Sequence, residues 1–144
     1  MEIATLFLIK AGDIYLKENG WIAFVLPRSL FSADQHDSIR QKTFQLPESQ
    51  GQTLQWTELW DCENVQPLFM VPSCVVYGYK TTATEMSKTA IPGEMIRRKL
   101  SRKNASLDEA EAQLNIQKEQ FNLFSQGQLS CTPKTGQVIK VKKT

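Results

Sequence analysis

The pattern of hydrophobic and polar positions divides the first part of the chain into helix-like and strand-like segments. Residues 4–20, "ATLFLIKAGDIYLKENG", repeat their apolar side chains at helical spacing and end on a glycine, which predicts an amphipathic helix. The apolar run "WIAFVLP" at 21–27 lacks alternation, which predicts a strand buried on both faces. Residues 32–44, "SADQHDSIRQKTF", predict a second helix that opens with a capping box of Ser32 and Gln35.

Two further strands are predicted before residue 82. "LQWTELWD" at 54–61 alternates and "SCVVYGYKT" at 73–81 is β-branched and aromatic, whereas "LPESQGQ" at 46–52 has the composition of a loop. The long crossovers around the first strand favour a parallel α/β sheet. The short connection between the last two strands favours an antiparallel pair at one edge of that sheet.

The chain changes character after this point. "TTATEMSKTAIPGE" at 81–94 is polar and predicts a linker or loop, and "MIRRKLSRKN" at 95–104 predicts either a short strand or an irregular basic arm. Residues 106–124 predict a helix with a serine–glutamate capping box, and "VIKVK" at 138–142 predicts a strand.

Charge is spread unevenly along the chain. Residues 1–80 hold 6 Lys/Arg and 9 Asp/Glu, whereas residues 81–144 hold 11 and 6, with the densest basic run, "RRKLSRK", at 97–103. A basic second half favours an anionic partner, although a solvated surface explains it equally well. We divide the chain into a first region, 1–82, and a linker with a following basic region, 83–144.

Length and composition indicate an ordinary globular protein. The 144 residues suffice for about one domain with a core of its own, and 41% of them are hydrophobic and 22% charged. No apolar run approaches the roughly 20 residues of a membrane span. The first residues lack the basic segment that opens a signal peptide. We therefore expect a cytoplasmic protein with no membrane partner.

No residue pattern in the chain forms a self-sufficient active site. The chain has no dinucleotide-binding or phosphate-binding glycine loop and no H-E-x-x-H motif. With three cysteines and one histidine, His36, almost no ligands are left for a metal site, so none is predicted. Ser29 lacks the glycines of a nucleophile elbow, and Cys74 lies in an apolar strand. A small hydrolase that uses Ser29, Cys62 or Cys74 is therefore an alternative with little in its favour.

Three segments, in order, resemble one protein family. "LFLIKAGDIYLKENGWIAFVLPRSLFSADQHDSIR" resembles the region of N6-adenine-specific DNA methyltransferases that follows their catalytic motif. "WDCENVQPLFMVPSCVVYGYK" is similar to a later motif of the family, in which a Phe in a "VFP"- or "PLF"-like turn precedes a strand. "GEMIRRKLSRKNASLDEAEAQL" is similar to the segment that leads toward the recognition region in multidomain members. The resemblance covers about residues 5–115.

The resemblance implies an α/β fold: a partial doubly wound Rossmann-like methyltransferase sheet, made of the later strands and helices, with a helical, basic C-terminal extension. Family members move a methyl group from S-adenosylmethionine to adenine in double-stranded DNA, in restriction-modification or phage-defence systems. The chain contains no Pro-Pro and no G-x-G, so it lacks both the Asn-Pro-Pro-Tyr motif and the cofactor-binding glycine loop.

We therefore expect a fragment of a larger methyltransferase that is inactive alone, carries no catalytic residue and binds no cofactor by itself. Its expected partners are the remainder of the methyltransferase chain and, through the complete enzyme, DNA. Cutting the sheet exposes an apolar edge and an apolar face, which predicts self-association. The alternative is a non-catalytic DNA- or protein-binding module derived from half of this fold.

The resemblance assigns roles to a few residues. Phe69 matches the aromatic residue that stacks on the flipped adenine in the family. The enzyme must flip the base because its amino group is out of reach inside the DNA duplex, and an aromatic ring offsets part of the stacking that the base loses. The alternative for Phe69 is a core position. Phe7 falls near an aromatic beside the cofactor's adenine, with a spacing to Lys17 one residue longer than the commonest pattern. Candidate DNA contacts are Arg28, Ser29, Arg97, Arg98, Lys99, Arg102 and Lys103.

Overall fold

The fold is α/β, with one mixed sheet and few helices. The computed structural model describes residues 3–31, 33–36, 39, 43–66, 71–82, 90–122, 130–133 and 139–140. The helices are α1 (Ile3–Lys10) and α2 (Leu107–Gln113). The strands are β1 (Trp21–Pro27), β2 (Thr43–Gln45), β3 (Thr53–Gln66), β4 (Ser73–Thr81), β5 (Ala90–Lys99), β6 (Asn115–Asn122), β7 (Ser130–Pro133) and β8 (Ile139–Lys140).

The order of the strands in the sheet is β1-β4-β3-β5-β6-β7-β8, and β2 pairs with the first residues of β3. β4 is antiparallel to both β1 and β3, so β1 and β3 run in the same direction. β3 pairs with β5 in parallel. The predicted antiparallel pairing of β3 and β4 is confirmed, but the prediction that this pair forms a sheet edge is wrong, because β3 is long enough to pair with β2 and β5 on its other side.

β1 has the predicted bounds but not the predicted burial. Among the described residues it pairs with β4 alone. Its side chains alternate: Leu26 is buried, whereas Trp21 and Val25 are 70% and 53% exposed. The prediction of a strand buried on both faces is therefore wrong. The segment is continuously hydrophobic because its exposed face, with Trp21 and Val25, is apolar, and not because a second part of the core covers that face.

The core lies between one face of the sheet and α1. Leu8 of α1 packs in a buried cluster with Leu54 of β3 and Val76 of β4. α1 continues into a π-helical turn at Ala11–Tyr15, so the helix predicted for residues 4–20 is confirmed over most of its length. A Cβ on Gly12 would lie only 2.7 Å from Leu54 Cδ1, so the glycine allows the turn to approach the sheet closely.

The second predicted helix, residues 32–44, is described only in part. Asp34–His36 form a 3₁₀ turn, Ile39 is helical and β2 begins at Thr43, so the prediction is wrong at both ends; most of its middle lies outside the described residues. Another 3₁₀ turn, Arg28–Phe31, comes before this segment. The indole of Trp56 donates a 2.6 Å hydrogen bond to the Ile39 carbonyl, which ties this connection to the sheet.

The second half of the chain contains more strand than predicted. β5 begins at Ala90, inside the segment predicted as linker, and of the two alternatives for residues 95–104 the strand is confirmed up to Lys99. Because β5 pairs with β3, the sheet continues across the boundary predicted at residue 82.

The helix predicted for residues 106–124 is much shorter than expected. It ends at Gln113, and from Asn115 the chain forms β6 and pairs with β5, since an available strand edge outweighs modest helix propensity. Its N-terminus is as predicted: the Ser106 hydroxyl accepts a 3.3 Å hydrogen bond from the Glu109 amide. Within the strand predicted at 138–142, β8 is confirmed.

Candidate nucleic-acid interface

The carboxyl ends of β1, β3 and β5 lie at the same edge of the sheet, because these three strands are parallel. β1 leads there into the turn Arg28–Phe31, β3 ends at Gln66 and β5 ends at Lys99. Gln66 and Lys99 face each other in the parallel register. In open α/β sheets, ligands bind outside the carboxyl ends of the strands, so this edge is the candidate site.

A buried ion pair organises the edge. Arg28 Nε and Nη2 donate to Asp61 Oδ1 and Oδ2 at 2.9 and 3.0 Å, and the two residues are only 4% and 1% exposed. Asp61 faces Cys74 of β4, so the pair connects β1 to β3 across the central strand β4. The Arg28 amide also donates to the Pro72 carbonyl at 2.9 Å. The guanidinium proposed from sequence to contact phosphate is thus engaged inside the protein.

The neighbouring hydroxyl and thiol groups are packed rather than activated. Ser29 is half-buried in the turn after β1, and the Ser73 hydroxyl is buried with no hydrogen-bond partner among the described residues. Burial, with the nearby carboxylate of Asp61, raises the pKa of the Cys62 thiol to about 11 and raises the pKa of Cys74 further. Both thiols are therefore protonated at neutral pH, which gives no support to a cysteine nucleophile.

The basic residues of the second half collect at the end of β5. Arg98 and Lys99 face Val65 and Gln66 in the β3–β5 register, and Arg98 has a positive φ of 86°. Arg98, Lys99 and Lys103 are exposed, and among the described side chains none pairs with an acid. The end of β5 therefore presents Arg98 and Lys99 to solvent beside the end of β3, and Lys103 is exposed in the connection that follows.

The other two predicted basic contacts are less available to an external anion. The exposed Arg102 forms a two-point ion pair with Glu109, with 3.2 Å between Nε and Oε2. Arg97 is half-buried: its Nη2 lies 3.7 Å from the Met95 sulfur, and its Nε is buried with no hydrogen-bond partner among the described residues. We therefore expect these two arginines to contribute less to an external anion than their three neighbours.

The predicted stacking residue cannot be placed. Phe69 lies outside the described residues, as do Pro67 and Met70; Pro72, on the far side of that segment, is exposed. Phe7 lies on α1 and is 61% exposed. The segment that carries Phe69 follows Gln66 in the chain, and Gln66 faces Lys99 at the end of β5.

Sequence reasoning missed a polar network at the opposite end of the sheet. Lys80 is 4% exposed, and its ammonium donates to the carbonyls of Asp13 and Leu16 at 2.9 and 2.8 Å and to the Ser49 hydroxyl at 2.8 Å. The Asp13 carboxylate accepts from the amides of Glu48 and Ser49, both at 2.8 Å. In the sequence, the feature that could have indicated this network is Lys80, which directly follows the apolar run "VVYGY".

This network lowers the pKa of Asp13. Burial alone would raise that pKa, but the hydrogen bonds from Glu48 and Ser49 and the positive charge of Lys80 outweigh it. The network joins the turn after α1, the loop before β3 and the end of β4, so its role is to hold the fold together.

Comparison with known proteins adds no family assignment. No protein-family model matches the chain, and no curated protein is significantly similar to it. Within the described ranges, no helix has the length and hydrophobicity needed to cross a membrane. The same part of the chain contains no group of three or more His, Cys, Asp and Glu side chains that could hold a metal ion. Function is therefore inferred from the sheet edge and from the motif resemblance.

Proposed function

We propose that this chain is the C-terminal part of the catalytic domain of a DNA adenine-N6 methyltransferase, with the beginning of the region that follows it. The complete enzyme would be a cytoplasmic protein of a restriction-modification or phage-defence system. This chain would contribute contacts to double-stranded DNA and the aromatic platform for the target base, and it would be inactive alone.

One observation carries the proposal: exposed cations lie where the parallel strands end. Arg98 and Lys99 lie beside the carboxyl end of β3, and the exposed Lys103 follows in the connection between β5 and α2; β3 leads directly into the segment that contains Phe69. Lysine and arginine side chains that contact phosphates supply most of the non-specific affinity for DNA. A cationic surface next to an aromatic segment suits an enzyme that must hold the DNA backbone while it extrudes a base.

The direction of the strands also agrees with this proposal. β1 and β3 are parallel and are joined by a long crossover, as in doubly wound sheets, and β4 returns antiparallel between them. The Arg28–Asp61 pair holds these three strands at the edge where the base would be bound.

S-adenosylmethionine would be bound outside this chain, because the sequence lacks the G-x-G loop that binds the cofactor in the family it resembles. Gly12 and Gly78 pack closely against Leu54 and Trp56. β1 ends in a proline–arginine turn without glycine. The methyl donor, which would supply the transferred methyl group, must therefore be bound by the remainder of the methyltransferase. The part played by this chain is to bind DNA and to orient the target base.

A second candidate is the non-catalytic DNA- or protein-binding module. The lack of the G-x-G loop and of the Asn-Pro-Pro-Tyr motif in the sequence favours it. The reading frame upstream of Met1 discriminates between the two: an Asn-Pro-Pro-Tyr motif in frame supports the enzyme, and a stop codon supports the module.

The basic edge can be tested by removing its three cations. We expect Arg98→Ala/Lys99→Ala/Lys103→Ala to weaken binding of a fluorescein-labelled DNA duplex, measured by anisotropy, by more than about tenfold at 0.1 M salt. The negative slope of log affinity against log salt concentration should become less steep by about 2.7, because each phosphate contact on B-DNA contributes roughly 0.9 to that slope and three contacts are lost.

The matched control removes three exposed lysines elsewhere. Lys10→Ala/Lys17→Ala/Lys118→Ala changes the net charge equally and should alter affinity by no more than about threefold, since long-range charge is screened over about 10 Å at this salt concentration. Equal losses in the two triple variants, or no binding of DNA by the unsubstituted chain, would contradict the proposed interface.

A further inference from the structure

The sheet has a second face, opposite α1, that carries aromatic side chains. Side chains alternate between faces along a strand, and Leu54 and Lys80 point toward the α1 side. In the register of β1 with β4, Trp21 faces Tyr79 and Val25 faces Val75. We define the aromatic face as Trp21, Val25, Trp60, Tyr77 and Tyr79.

The rings of this face support one another from strand to strand. Trp21 and Tyr79 have ring centroids 5.3 Å apart, and those of Trp60 and Tyr77 are 5.2 Å apart. The Tyr79 hydroxyl donates to Gln55 Oε1 at 2.9 Å, which fixes its polar end. Side chains held in this way lose little conformational freedom when a partner covers them, which favours binding.

Two carboxylates lie among the rings. Glu58 faces Tyr77 in the β3–β4 register and accepts a 2.9 Å hydrogen bond from the Trp60 indole. Glu94 faces Trp60 in the β3–β5 register and the exposed Lys118 in the β5–β6 register. Burial raises the pKa of Tyr77, and the negative charges of Glu58 and Glu94 raise it further. The aromatic face is therefore apolar at its centre, with the Glu58 carboxylate beside Tyr77, whereas Glu94 at its margin lies opposite a cation.

We propose that the aromatic face binds an amphipathic α-helix that places apolar residues on Trp21, Val25 and Tyr79 and a Lys or Arg residue toward Glu58. A sheet face with exposed apolar side chains is usually covered by helices in α/β proteins. The charge of Glu58, which faces Tyr77 and not a cation, determines the sign of the charge on the partner. The inference concerns a different surface from the proposed DNA edge and does not depend on it.

The size of the face fits one helix better than a second copy of the chain. Trp21 is 70% and Val25 53% exposed, while the other three side chains are half-buried. The available apolar area is on the order of 300–400 Å², taking about 200 Å² for each large aromatic side chain. That is about half of the ~800 Å² that each partner contributes to a standard interface.

The test uses an idealised amphipathic peptide of about 18 residues, which as a helix spans ~27 Å, with leucines on one face and lysines on its flanks. A second peptide carries glutamates in place of the lysines. We expect the labelled lysine peptide to bind the whole chain saturably in an anisotropy titration that contains no DNA. The glutamate peptide should bind at least about tenfold more weakly, because its flanks meet like charges.

Variants then locate the binding surface. Trp21→Ser should weaken binding of the lysine peptide by about tenfold or more, as expected for a central aromatic residue. Glu58→Gln should narrow the difference in affinity between the two peptides, because it removes the carboxylate that faces no cation. Tyr15→Ser, which removes an 84% exposed ring at the α1 side, is the matched control and should leave the affinity unchanged.

Three outcomes would overturn the inference. The first is that Trp21→Ser binds the lysine peptide as well as the unsubstituted chain does. The second is that the two peptides bind equally. The third is a dimer in light scattering that Trp21→Ser dissociates, because the occupant of the face would then be a second copy of the chain.

Discussion

At the residue scale, two arginine–carboxylate pairs with similar geometry should contribute very differently to the free energy of unfolding. The Arg28 and Asp61 side chains are 5% and 0% exposed, whereas those of Arg102 and Glu109 are 57% and 36% exposed. Removing one partner from a buried pair leaves an uncompensated charge in a poorly solvated site. When one partner of an exposed pair is removed, water still solvates the charge that remains.

We predict that Arg28→Ala lowers the free energy of unfolding by about 3–5 kcal/mol, because the Asp61 carboxylate then stays buried without its partner. The control, Arg102→Ala, should lower it by at most about 1 kcal/mol. Urea unfolding of both variants, followed by tryptophan fluorescence, provides the comparison. Equal losses in the two variants would show that the buried pair does not hold the strands together.

Asp13 should make the fold sensitive to acid. Its pKa is lower in the folded protein than in the unfolded chain, so its contribution to stability is present above about pH 4 and is lost as the pH falls through the folded-state value. We predict that Asp13→Asn destabilises the protein at pH 7 and that the difference from the unsubstituted chain shrinks toward pH 2. Urea unfolding at several pH values measures this difference. A difference that is constant with pH would rule out a role for the Asp13 charge.

At the scale of elements, local signals predicted some segments well. β1 and β4 have the predicted bounds, because an apolar run closed by proline and a β-branched aromatic run mark strands directly in the sequence. The start of α2 follows from the Ser106 cap. The early end of α2 could not be predicted, because it depends on the pairing of β6 with β5, a contact between distant residues.

The site was predictable to a similar degree. The cluster of cations at 97–103 is visible in the sequence, but its position beside the end of β3 depends on the parallel pairing of β5. The burial of Arg28 could not be foreseen, because its partner Asp61 lies 33 residues away. The network around Lys80 was missed for the same reason.

The pairing of β3 with β4 depends on a glycine at its centre. A Cβ on Gly78 would lie 2.7 Å from the Gln55 carbonyl oxygen and 3.0 Å from Cε3 of Trp56. We predict that Gly78→Ala destabilises the protein by about 1–3 kcal/mol, because the strands must separate to accommodate the methyl group. Thermal or urea unfolding measures this. A stabilisation of about 0.4–1 kcal/mol, as expected where only the entropy of the unfolded chain changes, would contradict the close packing.

At the scale of the whole molecule, the two surfaces of the sheet are suited to different partners. The carboxyl edge presents cations, and the face opposite α1 presents aromatic rings with carboxylates. Self-association through the open edge of β1 stays a prediction. The division between a DNA-binding edge and a protein-binding face is what we expect of a part that functions within a larger enzyme.

The isolated chain should be unable to carry out the reaction. We predict no transfer of tritiated methyl groups from S-adenosylmethionine to duplex DNA by the purified chain, because its sequence lacks the G-x-G loop and the Asn-Pro-Pro-Tyr motif of the family it resembles. Scintillation counting of recovered DNA measures the transfer. Label in the DNA, at a level above that of a heat-denatured sample, would show that the chain is catalytically complete.

The most direct test of the proposed function is the rate of adenine methylation by the protein that unites this chain with the cofactor-binding part of the enzyme. Phe69→Ala should lower kcat/KM by about 5- to 150-fold, because stacking on an aromatic platform is worth about 1–3 kcal/mol per base. Phe69→Tyr keeps the aromatic face and should stay within about threefold of the original rate, and both variants should unfold at the original temperature. If no methyl group reached adenine in DNA, or if the Phe69→Ala enzyme methylated as fast as the unsubstituted enzyme, the proposed function would be contradicted.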